Sequence, residues 1–218
     1  VQLYYMNKDG NRVSDSTVVL MTVAVVYKFV LVVLGCGILI FWNGPLRACL
    51  GNYFPLYILG LMLNVILVIL ILGVMLFPKV IYRAAKFFEI LLIRMKIWKP
   101  SFKREEKLKG FIESYAQAVA WLGRHRGRLL GVIVVTFLQR CSLFVLTYMV
   151  YLGFGLEGSD ALSVILLQAS VYIAVDMLPL PGAQGITELM YQAVFAHVFT
   201  SVYLIPSMLV SRGLNFYF

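Results

Sequence analysis

The chain of 218 residues is 61% apolar and only 13% charged, and its mean hydropathy is +0.89. A soluble domain of this composition would have too little polar surface to cover its core, so a soluble fold is excluded. The formal charge of +9 does not indicate nucleic-acid binding, because 13 of the 19 Lys and Arg residues fall between Lys79 and Arg128, flanked by long apolar runs. Such a block is typical of a cytoplasmic loop of a membrane protein.

Long apolar runs predict the membrane spans, since about 20 helical residues are needed to cross a hydrocarbon core of about 30 Å. Four runs meet this length, and a fifth apolar region is interrupted. We therefore expect an all-α, polytopic transmembrane helical bundle. Its predicted spans are residues 17–42, 55–77, 129–154, 161–178, 186–202 and 203–218.

Residues 78–128 form a basic segment with amphipathic character. Cationic and apolar residues alternate in it at helical spacing, which favours helices on the inner membrane surface or beneath the bundle. The positive-inside rule places this segment and residues 1–15 in the cytoplasm. The chain lacks an initial Met and ends within an apolar run, so we expect residues 1–218 to be a single membrane domain cut from a longer protein.

The fourth apolar run ends in the sequence Leu-Pro-Leu-Pro-Gly-Ala-Gln-Gly at residues 178–185. Proline lacks an amide hydrogen and glycine lowers helix stability, so a helix cannot continue smoothly through this sequence. We expect a re-entrant or broken helix at Pro179–Gly185. The amides of the following half-helix, near Ile186, would then be available to a phosphate or carboxylate. A proline kink packed against neighbouring helices is the alternative.

Ionisable side chains occur inside the apolar runs. Lys28 lies near the middle of the first run, and its Cα is roughly 15 Å from water on either side. A charge at the bilayer centre costs about 2.5 to 3.5 kcal/mol, so such groups face the bundle interior. The five charged candidates are Lys28, Arg140, Asp176, Glu188 and Arg212. Three cations and two carboxylates leave one positive charge that an anionic lipid headgroup could neutralise, whereas structural ion pairs between helices are the alternative.

The sequence contains no recognisable catalytic constellation, such as a Ser-His-Asp set, a phosphate loop or a carboxylate dyad. The three cysteines lie far apart and lack the spacing of a zinc site or a disulfide framework. We expect neither a metal ion nor another cofactor.

The stretch Asp176 to Glu188, D-x-L-P-L-P-G-A-Q-G-I-T-E, resembles the P-x-P-G-G-x-G-x-x-E signature of the lysylphosphatidylglycerol synthase/flippase transmembrane family. Ala183 stands where the second Gly is commoner. Arg212, followed by aromatic residues, and the Tyr-Lys-Phe sequence around Lys28 are also similar to the family pattern. The family comprises the membrane domain of the multiple peptide resistance factor and its stand-alone relatives.

The resemblance implies a multi-pass protein of the bacterial inner membrane that handles anionic or aminoacylated phospholipids. It implies flippase-like movement of phosphatidylglycerol or lysylphosphatidylglycerol, linked to resistance to cationic antimicrobial peptides. Combined with the charges and the broken helix, it predicts a headgroup path formed by Lys28, Arg140, Asp176, Pro181, Gly182, Gln184, Gly185, Glu188 and Arg212.

Two other functions stay open at this point. The chain could be the membrane part of a lysyl-tRNA-dependent phosphatidylglycerol lysyltransferase, as the family name suggests, although nothing in it resembles the soluble synthase domain. It could also be an accessory protein that binds lipid without moving it. The sequence leaves homo-oligomerisation and the direction and energy source of transport undecided.

Overall fold

A computed structural model of the chain describes Met6, Lys8, Arg83, Lys86, Phe87 and residues 13–77, 102–177 and 185–217. These residues form helices and turns without any strand, which confirms the predicted all-α fold. Gly51–Tyr53 is a single 3-10 turn. The α-helices are α1 (Val13–Phe41), α2 (Asn43–Leu50), α3 (Phe54–Leu76), α4 (Phe102–Arg124), α5 (Arg126–Gly153), α6 (Ala161–Val175), α7 (Ile186–Phe195) and α8 (Ser201–Tyr217).

Three helical stretches in the described part of the chain are long and apolar enough to cross a membrane. They are Val13–Phe41, Asn43–Leu76 and Arg126–Gly153. The predicted spans 17–42, 55–77 and 129–154 overlap these stretches. Each stretch exceeds the roughly 20 residues that a bilayer requires.

The other apolar helices are too short to cross a bilayer alone. At 1.5 Å per residue, the 15 residues of α6 extend about 22 Å and the 10 residues of α7 about 15 Å. The apolar run 186–202 is also not one helix. Its first part, α7, ends at Phe195, whose carbonyl accepts from the amides of Val198 and Phe199. α8 begins after Thr200.

The predicted break in the helix is flanked by two well-defined helix ends. α6 ends at Val175, and α7 begins at Ile186 after Gly185, whose φ of 87° lies in the left-handed region that favours glycine. Residues 178–184 themselves, including Pro181, Gly182 and Gln184, lie outside the described residues. Most of the predicted surface segment between residues 78 and 101 also lies outside them.

The chain divides into two compact units. Unit 1 consists of Val1–Val26 and Leu67–Ile133, and unit 2 of Tyr27–Ile66 and Val134–Phe218. The long helices α1, α3 and α5 contribute residues to both units.

Unit 1 is held together by one apolar face of α4. Val18, Met75 and Tyr115 form its buried centre, with Val119 and Leu122 packed against them. The Tyr115 hydroxyl donates to the Met21 sulfur at 3.4 Å, and burial raises the pKa of this phenol above its ordinary value, so it remains a donor. The periodic apolar residues of α4 therefore serve as a packing face.

Unit 2 has the larger core, and α6 lies at its centre. Eight of the 15 residues of α6 are buried, including Val164, Leu167 and Ile173. The helix is apolar all round, as expected of a helix surrounded by protein. α7 packs against it and adds Met190, Tyr191 and Phe195 to the same core.

Gly60 allows α3 to approach α6 closely. A Cβ atom at this position would lie 2.6 Å from the carbonyl oxygens of Ile173 and Ala174, which are backbone atoms that cannot rotate away. Small residues commonly permit such contacts between membrane helices. Gly73, on the same helix, has no atom within 4 Å of an equivalent Cβ.

We predict that Gly60→Ala lowers the free energy of unfolding by about 1 to 3 kcal/mol, because the added methyl group forces α3 away from α6. Gly73→Ala is the matched control, and it should be neutral or stabilise by up to about 1 kcal/mol through helix propensity. Thermal unfolding of both variants in detergent measures the difference. Equal melting temperatures for the two variants would contradict the close approach.

Candidate functional site

Charged side chains in unit 2 lie directly before and after the Pro- and Gly-rich segment. Asp176 follows the last residue of α6, while Glu188 lies in the first turn of α7. Each carboxylate forms an ion pair, Asp176 with Lys28 and Glu188 with Arg212. The segment is therefore bounded by two paired carboxylates.

The Lys28–Asp176 pair is the more buried of the two. The side chains of Lys28 and Asp176 are 11% and 10% exposed. The Tyr27 hydroxyl donates a second hydrogen bond to Asp176 Oδ1 at 2.8 Å. Burying an ion pair is tolerable only when further hydrogen bonds satisfy its remaining atoms, and Tyr27 supplies one of them.

A directed chain of hydrogen bonds connects this pair to Arg140. Because the Tyr27 hydroxyl proton goes to Asp176, Tyr27 accepts from the Tyr172 hydroxyl at 2.8 Å. Tyr172 in turn accepts from Arg140 Nη1 at 3.4 Å, which is long for a hydrogen bond. The two tyrosines thus orient their protons away from Arg140 and towards Asp176.

Arg140 is the cation that lacks a carboxylate. Its guanidinium carbon lies 4.6 Å from the centre of the Tyr27 ring, a cation–π contact. Among the described residues no carboxylate lies within ion-pair distance of it, and its buried Nε has no hydrogen-bond partner. Arg140 as a whole is half-buried, and its unused Nε donor is available to an anion.

Other buried polar atoms occur on the same two helices. Gln168 lies on α6, two turns before Asp176, and its Oε1 has no hydrogen-bond partner within the part of the chain that the structure describes. The same holds for Thr147 Oγ1 on α5, two turns after Arg140. Buried polar atoms of this kind normally bind water or a ligand.

Glu188 has two partners at the start of α7. One carboxylate oxygen pairs with Arg212, and the other accepts from the Gly185 backbone N–H, as Glu does at the N3 position of a capping box. An acid in the first turn also complements the helix dipole. The side chains of Arg212 and Glu188 are 34% and 27% exposed, so this pair is more accessible than Lys28–Asp176.

The structure brings some of the predicted site residues together and shows which of the charged ones form ion pairs. Lys28 and Arg212 already hold carboxylates, so Arg140 is left as the uncompensated charge. The Gly185 amide, expected to be open to a phosphate, donates to Glu188. The predicted Pro181, Gly182 and Gln184 lie outside the described residues.

The prediction omitted Tyr27 and Tyr172, which link the charged residues. One signal was present in the sequence, since Tyr172 precedes Asp176 by four residues and therefore lies one helical turn before it. The Tyr-Lys-Phe sequence places Tyr27 next to Lys28, but the contact of Tyr27 with Asp176 and Tyr172 depends on how α1 and α6 pack.

The described residues contain no group of three His, Cys, Asp or Glu side chains that could hold a metal ion. The groups available at the site are cations, carboxylates and hydroxyls. Such groups form charge-assisted hydrogen bonds with charged or polar ligands.

Comparisons with known proteins agree with these observations. A family model described as the lysylphosphatidylglycerol synthase TM region matches residues 1–218, the whole chain. A search of curated proteins and a search of solved structures gave no match. The match confirms the family resemblance of the Pro-Gly signature. The chain therefore belongs to the family of the lysylphosphatidylglycerol synthase transmembrane region, a family of membrane-embedded domains related to the handling of this lipid.

Proposed function

We propose that this chain is a phospholipid flippase-like domain that carries phosphatidylglycerol or lysylphosphatidylglycerol headgroups along the interior of unit 2, in a bacterial inner membrane. Family membership supports the lipid class, and the charged groups beside the broken helix support the route. The proposed path keeps the residues predicted from the sequence: Lys28, Arg140, Asp176, Pro181, Gly182, Gln184, Gly185, Glu188 and Arg212.

The proposal rests on the positive charge of Arg140, which has no carboxylate partner among the described residues. Two ion pairs neutralise four of the five interior charges, and the remaining charge is +1. The phosphodiester of phosphatidylglycerol carries a charge of −1 and would neutralise it. Its oxygens would also satisfy the unused Nε donor and replace the long bond to Tyr172.

The short helices support a path for the headgroup between them. Neither α6 nor α7 is long enough to span about 30 Å of hydrocarbon, yet both are buried within unit 2. Irregular backbone is tolerated at membrane depth where protein or a water-filled cavity surrounds it. The re-entrant pair of half-helices that we propose at Pro179–Gly185 would have to be enclosed in this way.

Glu188 is the carboxylate that we assign to the lysyl ammonium. A lysyl headgroup brings cations besides its phosphate, and both interior carboxylates are already paired. Breaking an ion pair costs less free energy where the pair is more exposed, because water can solvate the separated charges during the exchange. The Arg212–Glu188 pair is therefore the one that opens.

Replacing Arg140 should slow transport of phosphatidylglycerol at least about tenfold, because losing a charge-assisted hydrogen bond costs about 1.5 to 3 kcal/mol. The measurement is translocation of a fluorescent phosphatidylglycerol in proteoliposomes containing the full-length protein with Arg140→Gln. Arg47→Gln is the matched control, since Arg47 is exposed and also stacks on an aromatic ring, Phe54, at 4.8 Å.

Arg140→Lys keeps the charge and should retain part of the rate. The proposal fails if Arg140→Gln transports at the wild-type rate. It also fails if the wild-type protein binds phosphatidylglycerol but does not move it, an outcome that identifies a lipid-binding accessory protein instead.

Glu188→Gln should reduce transport of lysylphosphatidylglycerol by about tenfold and that of phosphatidylglycerol much less, since only the lysyl lipid needs an anion. A glutamine at this position can still accept from the Gly185 amide, so the helix cap is preserved. Glu157→Gln, at an exposed position between α5 and α6, is the control. Equal losses for the two lipids would remove the assigned role of Glu188.

Asp176→Asn should lower the free energy of unfolding by about 3 to 5 kcal/mol, because it leaves the ammonium of Lys28 buried without a counter-charge. Lys28→Met combined with Asp176→Leu should recover most of this loss, since an apolar pair avoids the desolvation cost. Thermal unfolding in detergent measures both variants. If the double variant is as unstable as Asp176→Asn, the ion pair does not set the stability of this site.

A further inference from the structure

A cavity of about 490 Å³ is lined by residues of unit 1. Its volume is in the range of about 300 to 1,000 Å³ that is usual for small-molecule sites. Most of its lining side chains are apolar. An apolar cavity of this size in a membrane domain can accept an acyl chain.

Two helices present matched faces to the cavity. α1 contributes five residues at the spacing i, i+3, i+4, i+7 and i+8, namely Asp15, Val18, Val19, Thr22 and Val23. α4 contributes five residues at the same spacing, namely Ser114, Gln117, Ala118, Trp121 and Leu122. Thr22 donates its hydroxyl to the Val18 carbonyl, so this donor is satisfied within the helix. Val132 of α5 completes the lining. α1 and α4 thus each line the cavity with one stripe of side chains.

Cationic side chains adjoin the aromatic member of this lining. The Arg128 guanidinium lies 5.1 Å from the centre of the Trp121 ring, and the His125 ring stacks on Trp121 at 4.1 Å. Arg128 is exposed, as are Arg124 and Arg126. A tryptophan with an apolar body beside arginines is the arrangement found where acyl chains meet headgroups.

We infer that this cavity binds one anionic phospholipid, with an acyl chain between α1 and α4 and its phosphate at Arg128. Charge complementarity selects this occupant, because the exposed arginines next to the lining favour a negative headgroup. Asp15 also lines the cavity, and water screens this exposed acid and the exposed arginines alike, so one acid is set against the three arginines Arg124, Arg126 and Arg128. This lipid is held in place, and its binding does not depend on the transport proposed for unit 2.

Trp121 itself can report the bound lipid. The full-length protein with Trp42→Phe and Trp98→Phe retains Trp121 as the tryptophan of this chain. It would be placed in phosphatidylcholine vesicles containing phosphatidylglycerol with a brominated acyl chain, since bromine quenches tryptophan fluorescence on contact. We expect quenching that saturates at a low mole fraction of the brominated lipid and that unlabelled phosphatidylglycerol reverses. Brominated phosphatidylcholine should require about ten times more lipid, as expected for the loss of one charge-assisted contact.

Two pairs of variants test the contacts of the lipid's acyl chain and of its headgroup separately. Val23→Phe fills the cavity and should abolish the saturable quenching, whereas Val33→Phe, at an exposed α1 position outside the lining, should not. Arg128→Gln should remove the preference for phosphatidylglycerol, and Arg128→Lys should keep part of it. Because Arg128 is exposed, its replacement decides the outcome even if Val23→Phe fails to fold.

The inference is overturned if quenching rises in proportion to mole fraction without saturating, since this indicates contact with bulk lipid alone. It is also overturned if phosphatidylglycerol and phosphatidylcholine quench equally, or if Arg128→Gln retains the full preference. Transport in proteoliposomes with Arg128→Gln should remain at the wild-type rate, and this result separates the stationary site from the path in unit 2.

Discussion

A charge inside a bilayer must be paired, hydrated or bound by a ligand, and the Lys28–Asp176 pair meets this condition at the end of α6. The pair joins residues 148 positions apart in the sequence and so connects α1 to the central helix of unit 2. Tyr27 and Tyr172 extend it by hydrogen bonds to Arg140. Within the part of the chain that the structure describes, Lys28 and Asp176 balance each other, and Arg140 at the other end of the network has no carboxylate partner.

The same condition explains why the helix can break where it does. α6 and α7 are short, and their buried residues belong to one core, so protein covers much of both helices. Exposed backbone amides in lipid would cost several kcal/mol each, and this cost is avoided where side chains satisfy them. At the start of α7 the Glu188 carboxylate does so by accepting from Gly185, while Arg212 balances its charge.

Hydropathy and charge were sufficient to predict the fold class and the charged candidates, because both depend on composition along single helices. A division between the spans 186–202 and 203–218 was predicted, but its position was not, since α7 ends at Phe195 and α8 begins at Ser201. The turn between them contains Ala196, Val198 and Phe199, which are as apolar as the helices on either side. Counting charges gave one excess cation, but the identity of that cation depended on which helix faces meet. Only the structure distinguishes Arg140 from Lys28 and Arg212.

The surroundings of Arg140 suit a group that binds its ligand transiently. If the guanidinium were bare in the empty state, an arriving phosphate would relieve its full desolvation cost and would be held too tightly to leave. The Tyr27 ring and the Tyr172 hydroxyl already stabilise the cation. The binding free energy of a phosphate would therefore be only the difference between its contacts with Arg140 and the contacts that it replaces. In the proposed transport cycle, Tyr172 would accept from Arg140 again once the headgroup leaves, and the hydrogen-bond chain to Asp176 would be restored without moving a proton. A site that releases its lipid in each such cycle would benefit from weak internal partners, whereas a third carboxylate in their place would neutralise Arg140 and leave no charge for a phosphate.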